Sequence, residues 1–227
     1  MIDLALMGHY LPLMSQAILT TIQLSVLALV LGLVVGLVVA LARRSNHVLV
    51  YAPAAFFVWL IRSTPLLVQL FIIYFGLPQM GVDLSPITAG VLGLGINVGA
   101  YNAETIRGGI DAINVGQHEA AKSLGMTAAQ SMRRIILPQA FRIIIPPLGN
   151  NFIILIKDTS LVSTITVVEV TMRTQQSVGS TFKPFEMYLL AALVYAALTS
   201  MVALGLRGVE RRLRQSSRPT PTPGANA

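Results

Sequence analysis

Residues 13–42 read LMSQAILTTIQLSVLALVLGLVVGLVVALA, an unbroken stretch with no acidic or basic side chain. Hydrocarbon offers no partner to an open backbone N–H or C=O, so a run of this length crosses a bilayer as a helix. Further apolar runs occupy Pro53–Leu77, Pro86–Ile106, Ile143–Val170 and Met187–Leu206, which brings the expected number of spans to five. Of the 227 residues 54% are hydrophobic and only 11% charged, and the mean hydropathy is +0.72. That balance argues against a water-soluble enzyme. The expected fold class is an all-α integral membrane protein.

The sixteen Lys and Arg residues give a net charge of +7, a value that would suit nucleic acid if they were spread over one face. They gather instead between the apolar runs, so membrane topology is the better reading and no nucleic-acid partner is expected. Arg43 and Arg44 follow the first run, Arg107, Lys122, Arg133, Arg134 and Arg142 the third, and Arg207, Arg211, Arg212, Arg214 and Arg218 the fifth. The opposite side holds only Arg173 and Lys183. Basic residues stay on the cytoplasmic face, which places the N-terminus outside and the C-terminus inside. No Lys or Arg precedes Arg43, so the first run lacks the basic leader of a signal peptide and is expected to remain as a helix. Gly32 with Gly36 and Gly95 with Gly99 have the small-xxx-small spacing of close helix contacts.

The connection after the third run carries Glu119-Ala120-Ala121-Lys122-Ser123-Leu124-Gly125, then nine residues, then Ile135-Ile136-Leu137-Pro138. Gly125 suits the left-handed residue that ends a helix, and Thr127 with Gln130 forms a capping box that starts another. Two short helices meeting at a fixed corner are expected, with Ala120, Ala121 and Leu124 as a small apolar docking face edged by Glu119 and Lys122. The bland alternative is an amphipathic helix lying on the bilayer surface. Gly116, Ala121, Lys122 and Ser123 come within one residue of a phosphate-binding loop, but Ala121 replaces the second glycine and no strand precedes it, so no nucleotide is expected here.

This spacing resembles the signature loop of ABC importer permeases. Arg62-Ser63-Thr64-Pro65-Leu66-Leu67, Tyr101-Asn102-Ala103-Glu104 with Arg107-Gly108-Gly109, and Lys157-Asp158-Thr159-Ser160-Leu161 look like the branch that handles polar amino acids. The resemblance implies a type I permease fold of five transmembrane helices with a cytoplasmic coupling helix, in a bacterial inner membrane. It assigns ATPase coupling to Glu119, Ala120, Ala121 and Gly125. It also implies two cytoplasmic ATPase subunits, which would bind the ATP and Mg, a second permease chain, identical or homologous, and an external solute-binding protein. No cofactor, metal or catalytic residue is expected in the chain itself.

Within the spans, Asn97, Tyr101, Glu104 and Gly108 recur on one face of the third helix and avoid lipid. They either line a substrate path or, for Glu104, pair with Arg107 three residues on. The run Ile143–Val170 is too long for one perpendicular helix, at about 42 Å against a core of about 30 Å. Pro146 and Pro147 weaken its start and Lys157-Asp158-Thr159-Ser160 falls midway, so a broken or re-entrant helix is expected. A cap at Asp158 or Thr159 would turn free N–H groups toward a substrate carboxylate, with Lys157 adding charge; alternatively Asp158 faces the substrate ammonium, or Lys157 and Asp158 only neutralise neighbours. Arg62 is expected to satisfy carbonyls freed at a helix break at Ser63-Thr64-Pro65, with a role at a gate as the alternative. The substrate path thus comprises Asn97, Tyr101, Glu104, Lys157, Asp158, Thr159 and Ser160. Residues 1–12 are read as an outside approach, 13–214 as the permease domain with its coupling loop at 107–142, and 215–227 as a disordered cytoplasmic tail. Two other classes compete with this reading: an ion- or proton-coupled carrier using Glu104, Asp158 and Lys157, and an intramembrane enzyme, for which the sequence offers no credible residue arrangement.

Overall fold

The computed structural model describes residues 3–215. Among them every regular element is helical: α1 (Leu4–Leu13), α2 (Ser15–Ala42), α3 (Val48–Ser63), α4 (Leu66–Phe71), α5 (Pro86–Asp111), α6 (Val115–Ser123), α7 (Ala128–Ser131), α8 (Leu137–Asp158), α9 (Val170–Thr181) and α10 (Pro184–Gln215). Turns of π-helix at Ile72–Gly76 and Met132–Ile136 and 3-10 segments at Leu77–Met80 and Thr159–Ile165 join several of them. The expected tail, from residue 216 on, lies outside the described residues.

Three helices are long and apolar enough to cross a membrane, Ser15–Ala42, the continuous Ala128–Ile165 and Pro184–Leu213; α3 with Leu66–Met80 makes a fourth if that bent pair is one span. The expected count of five is not reached on length and composition. The third expected span, α5, has the length but not the apolarity, because its glycines, amides and Glu104 dilute it. It can afford this composition, since fourteen of its 26 residues are buried against other helices.

α5 is the axis of the bundle, packed along α2 and against α3, α4 and α8. The two glycine pairs explain the closest of these contacts. A methyl group on Gly36 would lie 2.7 Å from Asn102 Cβ and 3.2 Å from the Gly99 carbonyl, and one on Gly99 would lie 2.8 Å from Val35. Only glycine lets the two backbones approach so closely. One apolar cluster surrounds the first half of α5 through Leu24, Leu70, Leu94 and Leu155; a second surrounds its end through Val58, Ile106, Ile136 and Ile144. A third joins α1, α2 and α10 through Met7, Met14 and Leu190. Outward residues of α2 such as Val26, Val30, Val34 and Val38 stay exposed, as a lipid-facing surface requires.

Charges tie the ends together. Arg43 and Arg44, just past α2, pair with Glu104 and Asp111 of α5, and Lys183 donates to Asp3 at 2.7 Å. That hydrogen bond holds the Asp3 carboxyl below its ordinary value and raises Lys183 in turn.

Of two expected helix interruptions, one is found and one is not. The second run breaks where expected, at Ser63-Thr64-Pro65: α3 stops at Ser63 and the chain turns by 107°. Proline disfavours a helical residue before it, and Thr64 is extended (φ −114°, ψ 143°). The fourth run starts earlier than expected, at Leu137, and runs unbroken through Pro146 and Pro147. Its helix tightens to 3-10 form at Thr159 instead of breaking, and leaves helical geometry only at Thr166, a left-handed residue with φ 70°.

Candidate functional site

Where the bend at Thr64-Pro65 meets α5 and α8, the bundle forms a half-open cavity of about 350 Å³. Its polar lining comes from Thr64, Asn97, Tyr101, Asn151 and Asp158, its apolar lining chiefly from Leu66, Leu94 and Leu155. Three expected path residues therefore meet in one place: Asn97, Tyr101 and Asp158. The helical stripe on α5 put the first two on one face, and the bend of the second run supplies the opposite wall.

The other expected path residues lie elsewhere. Glu104, one turn beyond Tyr101, pairs with Arg43 and accepts from Arg107 Nη2 at 2.9 Å, the pairing alternative. Lys157 is exposed and does not line the cavity. Thr159 is fully buried, and its hydroxyl donates to the Ile156 carbonyl at 2.7 Å; Ser160 gives its carbonyl to Ser163. Asp158 caps nothing, and because the 3-10 segment continues the helix, no free N-terminus opens here for a carboxylate. Of the alternatives drawn from the sequence, Asp158 as a carboxylate facing the cavity fits the structure.

Arg62 does not serve the freed carbonyls as expected. Its guanidinium stands over the Tyr101 ring, 5.3 Å from the centroid. Gln69 takes the role instead, donating to the carbonyls of Ile61 at 2.8 Å and Thr64 at 3.1 Å. Neither Gln69 nor Asn151 was singled out from sequence. Asn151 donates to Asn102 Oδ1 at 3.0 Å, tying α8 to α5 beneath the cavity. A further unanticipated residue is Glu169, fully buried, which caps α9 by accepting from Thr171 and Met172 N–H at 2.9 and 2.8 Å and receives the Tyr195 hydroxyl at 2.5 Å. A Glu ahead of a helical run was its only sequence signal.

The second site is the corner at α6 and α7. Gly125 is left-handed at φ 72°, and both halves of the Thr127–Gln130 capping box are present. Glu119 and Ala120 are exposed, as are Val115 and Leu124, the last 78% open. Ala121 departs from expectation. It is fully buried, because neighbouring helical positions lie about 100° apart and its side turns toward α7 and the following π-helical turn, on which α6 packs. The outward apolar face is therefore Ala120 with Leu124. Gly116 to Ser123 is plain helix, not a phosphate loop. Among the described residues no group of three or more His, Asp or Glu side chains could hold a metal ion.

A lipid-facing helical bundle with a polar cavity at a helix bend and a protruding helical corner defines a membrane transport subunit. The chain belongs to the family described as binding-protein-dependent transport system inner membrane component, whose model matches residues 32–215, and it is a permease subunit of an ABC importer. It is 40% identical to the nopaline transport system permease protein NocM of Agrobacterium fabrum over 88% of each chain. It is also 40% identical to the glutamine transport system permease protein GlnP of Escherichia coli K12, covering 90% of this chain and 94% of that one. A crystal structure of an amino acid ABC transporter with histidines superposes with a TM-score of 0.89 at 41% identity, over 93% of this chain and 99% of that one. The inward-facing MetNI methionine ABC transporter shares the fold at 18% identity and a TM-score of 0.73, over 88% of this chain and 95% of that one. Membership of this family sets aside the carrier and the intramembrane enzyme.

Proposed function

We propose that the chain carries a polar amino acid through the cavity at the α3–α4 bend, with Asp158 facing the substrate ammonium and Asn97 and Tyr101 completing the path. The observation that carries this reading is the convergence of one carboxylate, Asp158, with Asn97, Tyr101, Asn151 and Thr64 in a cavity whose remaining walls are apolar. A small zwitterion needs few polar contacts in a dry, shaped site. Glu104 stands one turn along the path, paired; Thr159 and Ser160 support the helix that carries Asp158, and Lys157 lies outside the cavity.

The corner around Glu119, Ala120 and Gly125 is the coupling element, with Ala121 holding it against α7. It seats on a cytoplasmic ATPase, two copies of which bind ATP and Mg; hydrolysis there rocks the bundle. A second permease chain, identical or homologous, and an external solute-binding protein complete the assembly. The N-terminus lies outside and the C-terminus in the cytoplasm, so that the twelve-residue approach is external, residues 13–214 form the permease domain with the coupling loop at 107–142, and the tail from 215 is cytoplasmic.

The test is uptake by the assembled transporter in proteoliposomes. Removing the charge with Asp158→Asn loses a charge-assisted bond of about 1.5–3 kcal/mol, on the order of a ten- to hundredfold loss of apparent substrate affinity. Unchanged uptake in that variant would refute the assignment of the cavity.

A further inference from the structure

One amide beside the cavity has its orientation forced. Pro65 has no N–H, so the carbonyl of Ile61, four residues before it, loses its helical donor. Gln69 Nε2 supplies one, at 2.8 Å, and also reaches Thr64 O at 3.1 Å and Thr64 Oγ1 at 2.9 Å. Backbone carbonyls only accept, so the nitrogen of Gln69 must face the bend and its oxygen must face the other way. On that other side, Gln69 Oε1 accepts from Asn97 Nδ2 at 3.0 Å. Both residues are more than nine-tenths buried, where an amide turned the wrong way would oppose like to like at a cost. Asn97 is therefore held with one of its two N–H groups given to Gln69 and its oxygen on the opposite side of the amide, and it lines the cavity. The only charged residue in that lining is Asp158.

We propose that Gln69 is a positioning residue for substrate selection. Acting through Asn97, it makes the cavity an acceptor site that takes amino acids with cationic or N–H-donating side chains and rejects acidic ones. Gln69 touches no substrate itself. The inference rests on the reading that the cavity holds the transported amino acid.

The experiment measures equilibrium binding of L-arginine, L-glutamine and L-glutamate to the purified permease–ATPase complex without its solute-binding protein, so that selection by the receptor does not enter. The unaltered complex binds arginine more tightly than glutamate by about tenfold or more, the scale of one charge-assisted hydrogen bond. Gln69→Met, which keeps bulk and removes all four hydrogen bonds, lowers that ratio by about tenfold, as does Asn97→Ala. The double variant is no worse than Asn97→Ala alone, because the two act through one group. Gln69→Glu, which when protonated still donates to the bend and accepts from Asn97, keeps the preference. It also decides the matter should Gln69→Met fail to assemble. Equal binding of arginine and glutamate, an unchanged ratio in Gln69→Met, additive effects in the double variant or a lost preference in Gln69→Glu overturns the proposal while leaving the cavity as the site. Binding of all three that ignores both Asn97→Ala and Asp158→Asn, or no binding at all, overturns the cavity reading and this inference with it.

Discussion

Gly36 shows how a single hydrogen atom sets the spacing of the bundle. A methyl there meets Asn102 Cβ at 2.7 Å and backbone atoms at 3.2 Å, and no rotamer change relieves it. Gly36→Ala is expected to destabilise the purified protein by about 1–3 kcal/mol, the usual effect of overpacking, read as a lower melting temperature. Glu169→Ala removes the cap of α9 and leaves the Tyr195 hydroxyl with Thr171 Oγ1 alone, for a loss of about 1–3 kcal/mol in the same measurement. The glycine pairs were legible in the sequence because their spacing alone encodes close contact. Asn97, Tyr101 and Asp158 were legible because polar groups in apolar runs must face protein. Gln69 and Glu169 were not, since their partners, backbone groups freed at a turn and side chains distant in sequence, come together only once the chain has folded.

Helix ends were read well where the signal is local and poorly where a neighbour decides. The Thr127–Gln130 box and the left-handed Gly125 follow from residue types within four positions of each other. Pro146 and Pro147 looked equally local, yet α8 runs through them, because proline in a membrane helix is tolerated when surrounding groups re-satisfy the backbone. A Cβ on Gly125 meets nothing within 4 Å, so a substitution there acts through backbone strain alone. Gly125→Val should cost about 1–2 kcal/mol at the corner and reduce ATP-driven uptake with little change in membrane insertion, whereas Gly125→Asn, which tolerates this conformation, should retain most uptake. Equal uptake in both variants would remove the corner's fixed angle from the mechanism.

Five apolar runs implied five spans, and the assembled chain divides the work among its helices unequally. α2 and α10 spend their apolar surface on lipid, α5 is buried and polar enough to shape a cavity, and the second run gives up a straight crossing to form the bend that closes it. Burial against partners replaces hydropathy for α5, which is why composition does not mark it as a span. In the proposed cycle this unequal bundle moves because the exposed corner is gripped by an ATPase. The chain contains no cysteine, so Ala120→Cys introduces a single, unique thiol on the outward face of α6. Treating membranes that hold the working transporter with a short thiol-directed cross-linker should join that thiol to the ATPase subunit, with a yield that changes between nucleotide-free and ATP-bound states. An active transporter in which residue 120 joins to no ATPase in either state would contradict the account.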